Sequence, residues 1–234
     1  AQNGLMAALL VQKGFTSSTQ VLEAERGFFN VYSPKHNVFK VLEDFGEVWE
    51  FEKNAFKPYA CGIVLHPSID ACIQLSEVAL PEEVDKIILQ VNPYVLELTG
   101  KKEPKTGLEG KFSIYHTGAM AFLERDASED QYQDEKVLAS KTIAFREKIK
   151  PVVNEEVDKD KVEAILVKKD GTSHKVCIEH AAGSIENPMT KAMLERKFTK
   201  LCKSSLTDEK ITQLIESIYQ FEQMEFESLI NIFN

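Results

Sequence analysis

No run of about eighteen apolar residues occurs anywhere in the chain, so no stretch of it is built to span a membrane as a helix. Cysteine is sparse: Cys61, Cys72, Cys177 and Cys202 stand far apart with no CxxC pair. That spacing favours buried thiols over a disulfide framework and gives no support to a zinc or iron–sulfur site, so no metal ligands are expected. Buried thiols in a reducing compartment are the expectation instead. The GxSxG, HExxH, Walker A and Rossmann glycine patterns are all missing, which removes support for acyl transfer, zinc hydrolysis and nucleotide chemistry. Positive charge is short as well. Lys and Arg number 28 against 37 Asp and Glu, a net −9, and this argues against a nucleic-acid partner. It does not argue against a small anionic metabolite, which feels the local pocket rather than the total charge. Neither an internal repeat nor a low-complexity tract appears.

Apolar residues make up 43% of the chain, enough for a packed core. Leu5, Met6, Leu9 and Leu10 share one face of an opening helix that Gly14 stops. A second helix is expected from Ser18, carrying Val21 and Leu22 inward, and a short element from Asn37 to Gly46 around Val38, Val41 and Leu42. His66-Pro67 opens a helix with Ile69, Cys72, Ile73 and Leu75 on its apolar side. Val84 to Val91 is β-branched and reads as a strand that Val95 to Leu98 extends, irregular around Asn92-Pro93. A polar loop from Lys101 to Gly110 leads to a helix from Lys111 to Leu123. The acidic segment Glu124 to Glu135 lacks the alternating ligands and fixed glycine of a calcium loop and reads as a solvated loop. Val137 to Lys148 is expected to be one helix, followed by a short strand at Val152-Val153. Asp170-Gly171 suits a tight turn between two half-buried strands, Glu163 to Lys168 and Lys175 to Glu179. Asn187 and Pro188 are expected to cap and begin a helix with Met189, Met193, Leu194, Phe198 and Leu201 as its stripe. Thr207, with Asp208 and Glu209, starts the last helix. The fold class is α+β: a partial all-helical domain from the chain ends and an α+β domain with a small antiparallel sheet. The expected limits are 1–53, 54–186 and 187–234.

The segment from Phe56 to Ala71 is the richest in chemistry. It puts Lys57 and His66 just upstream of a helix start whose free N–H groups attract anions. A cation, an imidazole and a helix N-terminus could hold a carboxylate there, though surface Lys-Pro pairs and His-Pro helix starts are common structural features. Tyr115 lies on the apolar face of its helix. Its phenol can donate to a carboxylate or deliver a proton, and equally it can bury its ring and bond a backbone carbonyl. His116 is expected on the surface, and His36, His174 and His180 are read as solvated. Cys61 and Cys72 have no spaced histidine to make either a thiolate nucleophile.

Four segments in register resemble the MmgE/PrpD family, which includes 2-methylcitrate dehydratase, cis-aconitate decarboxylase and iminodisuccinate epimerase. Gly14-Phe15-Thr16 through Leu22 to Phe29 resembles the family's stretch after a long helix. Phe56 to Ala71 resembles its hinge into a lid domain. Gly110-Lys111-Phe112-Ser113-Ile114-Tyr115-His116 is similar to its KFS helix, and Glu186-Asn187-Pro188-Met189-Thr190 with Leu194 to Phe198 to its return into the helical domain. The resemblance covers nearly the whole chain but only the C-terminal half of the family's length. It implies that 54–186 is the lid and that the acid/base groups belong to a preceding half. The chain alone is then expected to be inactive.

By that resemblance the protein is a cofactor-independent lyase or isomerase of small di- or tricarboxylates. Lys57 and Tyr115 would serve in catalysis, with Lys57 and His66 binding substrate. At a hinge, Lys57 would be desolvated as the lid closes, which strengthens its hold on an anion. Some relatives place a histidine where this chain has Gly62, so the outcome (dehydration, decarboxylation or epimerisation) stays open. The resemblance also implies a homodimer with no cofactor, in the cytoplasm or, its N-terminal region being unseen, the mitochondrion. The alternative from another class is a non-catalytic binding or dimerisation module in which Lys57 is incidental.

Overall fold

The computed structural model describes residues 1–33, 35–37, 39–40 and 43–223. They separate into two compact units, Ala1–Lys53 and Asn54–Asn234.

In the first unit, α1 (Gln2–Gln12) ends at Gly14, whose φ of +88° is the left-handed stop expected of it. The expected Ser18 helix does not form. Ser18 Oγ accepts from the Gln20 amide at 3.1 Å, closing a local turn that competes with helix, and a run of turns follows. Val21 and Leu22 are exposed rather than inward. The helical residues come later, as α2 (Phe28–Tyr32). Val38, Val41 and Leu42 of the element expected from Asn37 to Gly46 lie outside the described residues.

The second unit is built on a four-stranded sheet in the order β2-β1-β3-β4. Helix α3 (His66–Leu75) begins with proline in its first turn, as the sequence suggests. Strand β1 (Val84–Val91) stops at Asn92 instead of continuing. Asn92 Oδ1 accepts from the Tyr94 amide at 3.1 Å, and Pro93 fits the first turn of α4 (Pro93–Thr99). Val95 to Leu98 is therefore helical, because a capped start outweighs β propensity over so short a run. Thr106 caps the single turn α5 (Gly107–Gly110) inside the expected loop. Ser113 caps α6 (Ile114–Glu124), whose face of Ile114, Met120, Ala121 and Phe122 is buried. The expected helix from Val137 is two helices, α7 (Asp134–Leu138) and α8 (Ser140–Arg146), broken at the extended Ala139.

Strand β2 (Ile149–Val153) pairs parallel with β1, Ile87 opposite Ile149 and Val91 opposite Val153. Strands β3 (Val162–Lys168) and β4 (Ser173–Ile178) form the expected hairpin, with Gly171 at φ +88° in its turn. β3 also pairs antiparallel with β1, so the sheet is mixed rather than purely antiparallel. A register shift between Val84 and Lys86 lets Val84 and Ile87 both face inward, where strict alternation would put them on opposite faces. Helices α3 and α6 pack together against this sheet. Their Ile69, Cys72, Leu75, Ile114 and Phe122, with Leu65 just before α3, join Ile87, Leu89, Ile149, Ala164 and Leu166 in one core.

Two further helices follow β4 in the second unit, α9 (Lys191–Cys202) and α10 (Asp208–Tyr219). Thr190, not Asn187, caps α9: its side chain accepts from the Met193 amide. Asn187 is spent in a turn, its carbonyl accepting from Gly183 N at 2.8 Å and its side chain donating to the His180 carbonyl. Thr207 caps α10 as expected, accepting from Lys210 N, and Ile211 and Leu214 are buried on its inner face. No helix among the described residues is long and apolar enough to cross a membrane.

Candidate active site

The segment running into the second unit approaches α3 from Asn54, and the chain leaves β4 along 179–190 beside it. Pro58 restricts Lys57 to an extended backbone. Hydrogen bonds then hold both sides of that lysine. The Phe56 amide donates to the Gly183 carbonyl at 3.1 Å, and the Ala60 amide to the Ala127 carbonyl at 2.9 Å. Lys197 Nζ, from the middle of α9, donates to the carbonyl of Lys57 itself. The Lys57 side chain folds back, its Nζ donating to the Cys61 carbonyl at 3.2 Å.

Beside Lys57 opens a cleft of about 720 Å³, walled by Tyr59, Asp126, Met193, Lys197 and Lys200 among others. Its rim is mixed in charge. Lys200 pairs with Asp126 and lies 3.5 Å from Ser128 Oγ. Burial works against the Asp126 carboxylate, but Lys200 and the Ser128 hydroxyl outweigh it and hold its pKa below the usual range. Arg196, Lys197 and Lys200 sit at helical spacing on α9, so one face of a single helix delivers three cations to the cleft. Of these cations, Lys200 is engaged by Asp126, and Lys57 and Lys197 donate to the backbone carbonyls of Cys61 and Lys57.

His66 sits behind this wall rather than on it. It is 2% exposed, the Tyr59 ring stands edge-on to it at 5.3 Å, and its Nε2 has no hydrogen-bond partner. Burial first, then Lys57 and Lys197, push its pKa down to about 4. Tyr59 donates its hydroxyl to Asp70 Oδ1, and Asp70 Oδ2 accepts from the Ala182 amide at 2.7 Å. Burial, followed by the Asp70 charge, raises the Tyr59 pKa, so the phenol stays a donor. Tyr115 is half-buried against the core and does not line the cleft. Lys57 and His66 are thus neighbours across Tyr59, and Tyr115 stands apart from them.

Gly183 makes the close approach to Phe56 workable. It has φ +87°, and a Cβ there would lie 2.1 Å from the Phe56 carbonyl oxygen and 2.7 Å from Pro58 Cδ. Gly171 shares the backbone angle, but a Cβ there meets nothing within 4 Å. Gly183→Ala is expected to cost roughly 3 kcal/mol in urea unfolding and Gly171→Ala about 1 kcal/mol. Equal losses would contradict the close-packing account.

His116 corrects an expectation. It is fully buried, with Nε2–H donating to the Gln131 carbonyl at 2.9 Å and Nδ1 without a partner. The cause is the segment expected to be a solvated loop. Residues Glu129–Tyr132 form a 3₁₀ turn that buries Gln131 and Tyr132 over α6. Lys197, Lys200, Tyr59 and Asp70 are the members of the site that sequence reasoning missed. The basic i, i+3 pair on α9 was a usable signal for the first two. Tyr59 and Asp70 meet only through the turn into α3, which no periodicity announces. Among the described residues, no group of three or more His, Cys, Asp and Glu could hold a metal ion.

A search of curated proteins finds no match to this chain. The model of the MmgE/PrpD C-terminal domain matches residues 59–220, and the chain belongs to the MmgE/PrpD family.

Proposed function

We propose that the protein carrying this MmgE/PrpD domain is a lyase or isomerase of small di- or tricarboxylates, working without a cofactor. The substrate would be of the 2-methylcitrate, cis-aconitate or iminodisuccinate kind. The family is one of dehydratase and lyase type, and the observation that supports the finer reading is Lys57. It lines the cleft near the start of the second unit, its backbone carbonyl bonded by Lys197. In such a reaction a proton leaves the carbon next to a carboxylate, and negative charge builds on that carboxylate. Lys57 and Lys197 would stabilise the charge. Loss of water or reprotonation would then set the product, whereas loss of CO2 would leave its own electron pair on carbon for a returning proton to take up.

The rival reading, a non-catalytic binding or dimerisation module, draws on the first unit. Its Leu5, Met6, Phe15, Val21 and Phe28 are all at least half exposed. The test is to incubate the full-length protein with each of the three carboxylates and follow them by proton NMR. Consumption of one supports the lyase or isomerase. A folded protein that leaves all three untouched overturns it in favour of the module.

A further inference from the structure

The Asp70 carboxylate joins two stretches of chain far apart in sequence. One oxygen takes the Tyr59 hydroxyl, two residues beyond Lys57, and the other takes the Ala182 amide at 2.7 Å. Next to Ala182, Gly183 receives the Phe56 amide on the other side of Lys57. Lys57 therefore sits in a short loop whose two shoulders are fastened to the same outgoing segment, one directly and one through Asp70. The Tyr59 ring is held as well, edge-on to the buried His66. Asp70 is half-buried on α3 between the core residues Ile69 and Ala71, so the fastening is anchored to a helix packed into the core.

We infer that Asp70 is a positioning residue for Lys57: by holding Tyr59 and Ala182 together, it sets where the lysine ammonium stands in the cleft. This rests on the reading of Lys57 as a substrate-binding residue. Among the described residues, Tyr59 is the one member of the cleft lining that hydrogen-bonds Asp70, so the route from Asp70 to Lys57 runs through the loop. Asparagine offers one acceptor oxygen where aspartate offers two, so in Asp70→Asn the charge-assisted bond from the Tyr59 hydroxyl is lost or survives only as a neutral bond of reversed direction, amide to phenol. Displacing a charged group by about 1 Å is enough to cost as much as 10²-fold in rate.

The experiment is a double-mutant cycle in the full-length protein, with Asp70→Asn, Lys57→Ala and the pair. It reads kcat/KM on the carboxylate that the NMR panel identifies and, independently of turnover, calorimetric binding of tricarballylate. Asp70→Asn is expected to lower both roughly 10- to 100-fold in the native background and less than about twofold when Lys57 is already alanine. Equal losses in both backgrounds would show a structural role only and overturn the proposal, as would no loss in either. Should Asp70→Asn fail to fold, Tyr59→Phe carries the same cycle, since it removes the donor and keeps the ring. The two failures are distinguishable. If Lys57→Ala changes neither binding nor turnover, the functional reading falls and the positioning role with it. If Lys57→Ala is damaging but Asp70→Asn and Tyr59→Phe are silent, only the positioning role falls.

Discussion

Replacing Lys57 by alanine in the full-length protein is expected to lower kcat/KM for its carboxylate by 10²- to 10³-fold, about 3–4 kcal/mol of transition-state stabilisation. Unfolding free energy and oligomer size should not move. The reason for both halves lies in the geometry. The ammonium makes one protein hydrogen bond, to the Cys61 carbonyl at 3.2 Å, and no ion pair among the described residues. Its removal leaves no buried charge unmatched, so little stability is at stake. A substrate carboxylate, however, would lose a cation whose pull grows as water leaves the cleft. Lys57→Arg should restore little, because a longer planar head cannot take the place of a compact ammonium beside Cys61. Activity within twofold of the native protein would sink the assignment. Intact activity with changed assembly would point to the module reading.

Acidification should unfold this protein well before its carboxylates are exhausted. His66 and His116 both have pKa values near 4, against an ordinary 6.5. Burial is the main cause for each. The cations Lys57 and Lys197 add to it at His66. At His116, Arg146 works in the same direction, and the Gln131 carbonyl and Glu124 oppose. The folded state therefore binds fewer protons than the unfolded chain between about pH 4 and pH 6.5. Stability is complete above 6.5 and declines as the pH falls through that window, by about 3 kcal/mol for each histidine at its foot. Glu124 and Asp126, held below their usual values, contribute losses that come lower still, while Asp70, raised by burial, works the other way. Urea titrations at pH 7, 5.5 and 4.5 check this. His66→Phe and His116→Phe should each flatten the slope of stability against pH, whatever they cost at pH 7. An unchanged slope in both variants would rule the histidines out.

What the sequence reveals of this fold follows from how local its cues are. The hairpin around Asp170-Gly171, the Pro67 helix start and the Thr207 cap depend on neighbours within a few residues, and all three form. Asn92 and Thr190 are cues of the same kind that β propensity and the more familiar Asn-Pro pair outshone. His116 could not be placed from its own helix, because what buries it is a turn fifteen residues on. The site divides along the same line. Lys57 is visible through Pro58 and the helix that follows. The Tyr59–Asp70–Ala182 link and the arrival of α9 depend on tertiary closure, which leaves no mark on spacing.

Strand β1 is at the centre of the sheet, yet both of its partners follow it, and all of 92–148 intervenes before the first. During synthesis it must therefore emerge with two open edges and an Ile-Ile-Leu run, and wait while the five helices α4 to α8 are added. Until β2 and β3 arrive it is the segment most prone to pair with another chain. A truncation ending near Arg146 should accordingly collect as aggregates, whereas one that keeps the chain through Lys168 gives β1 both neighbours and stays dispersed.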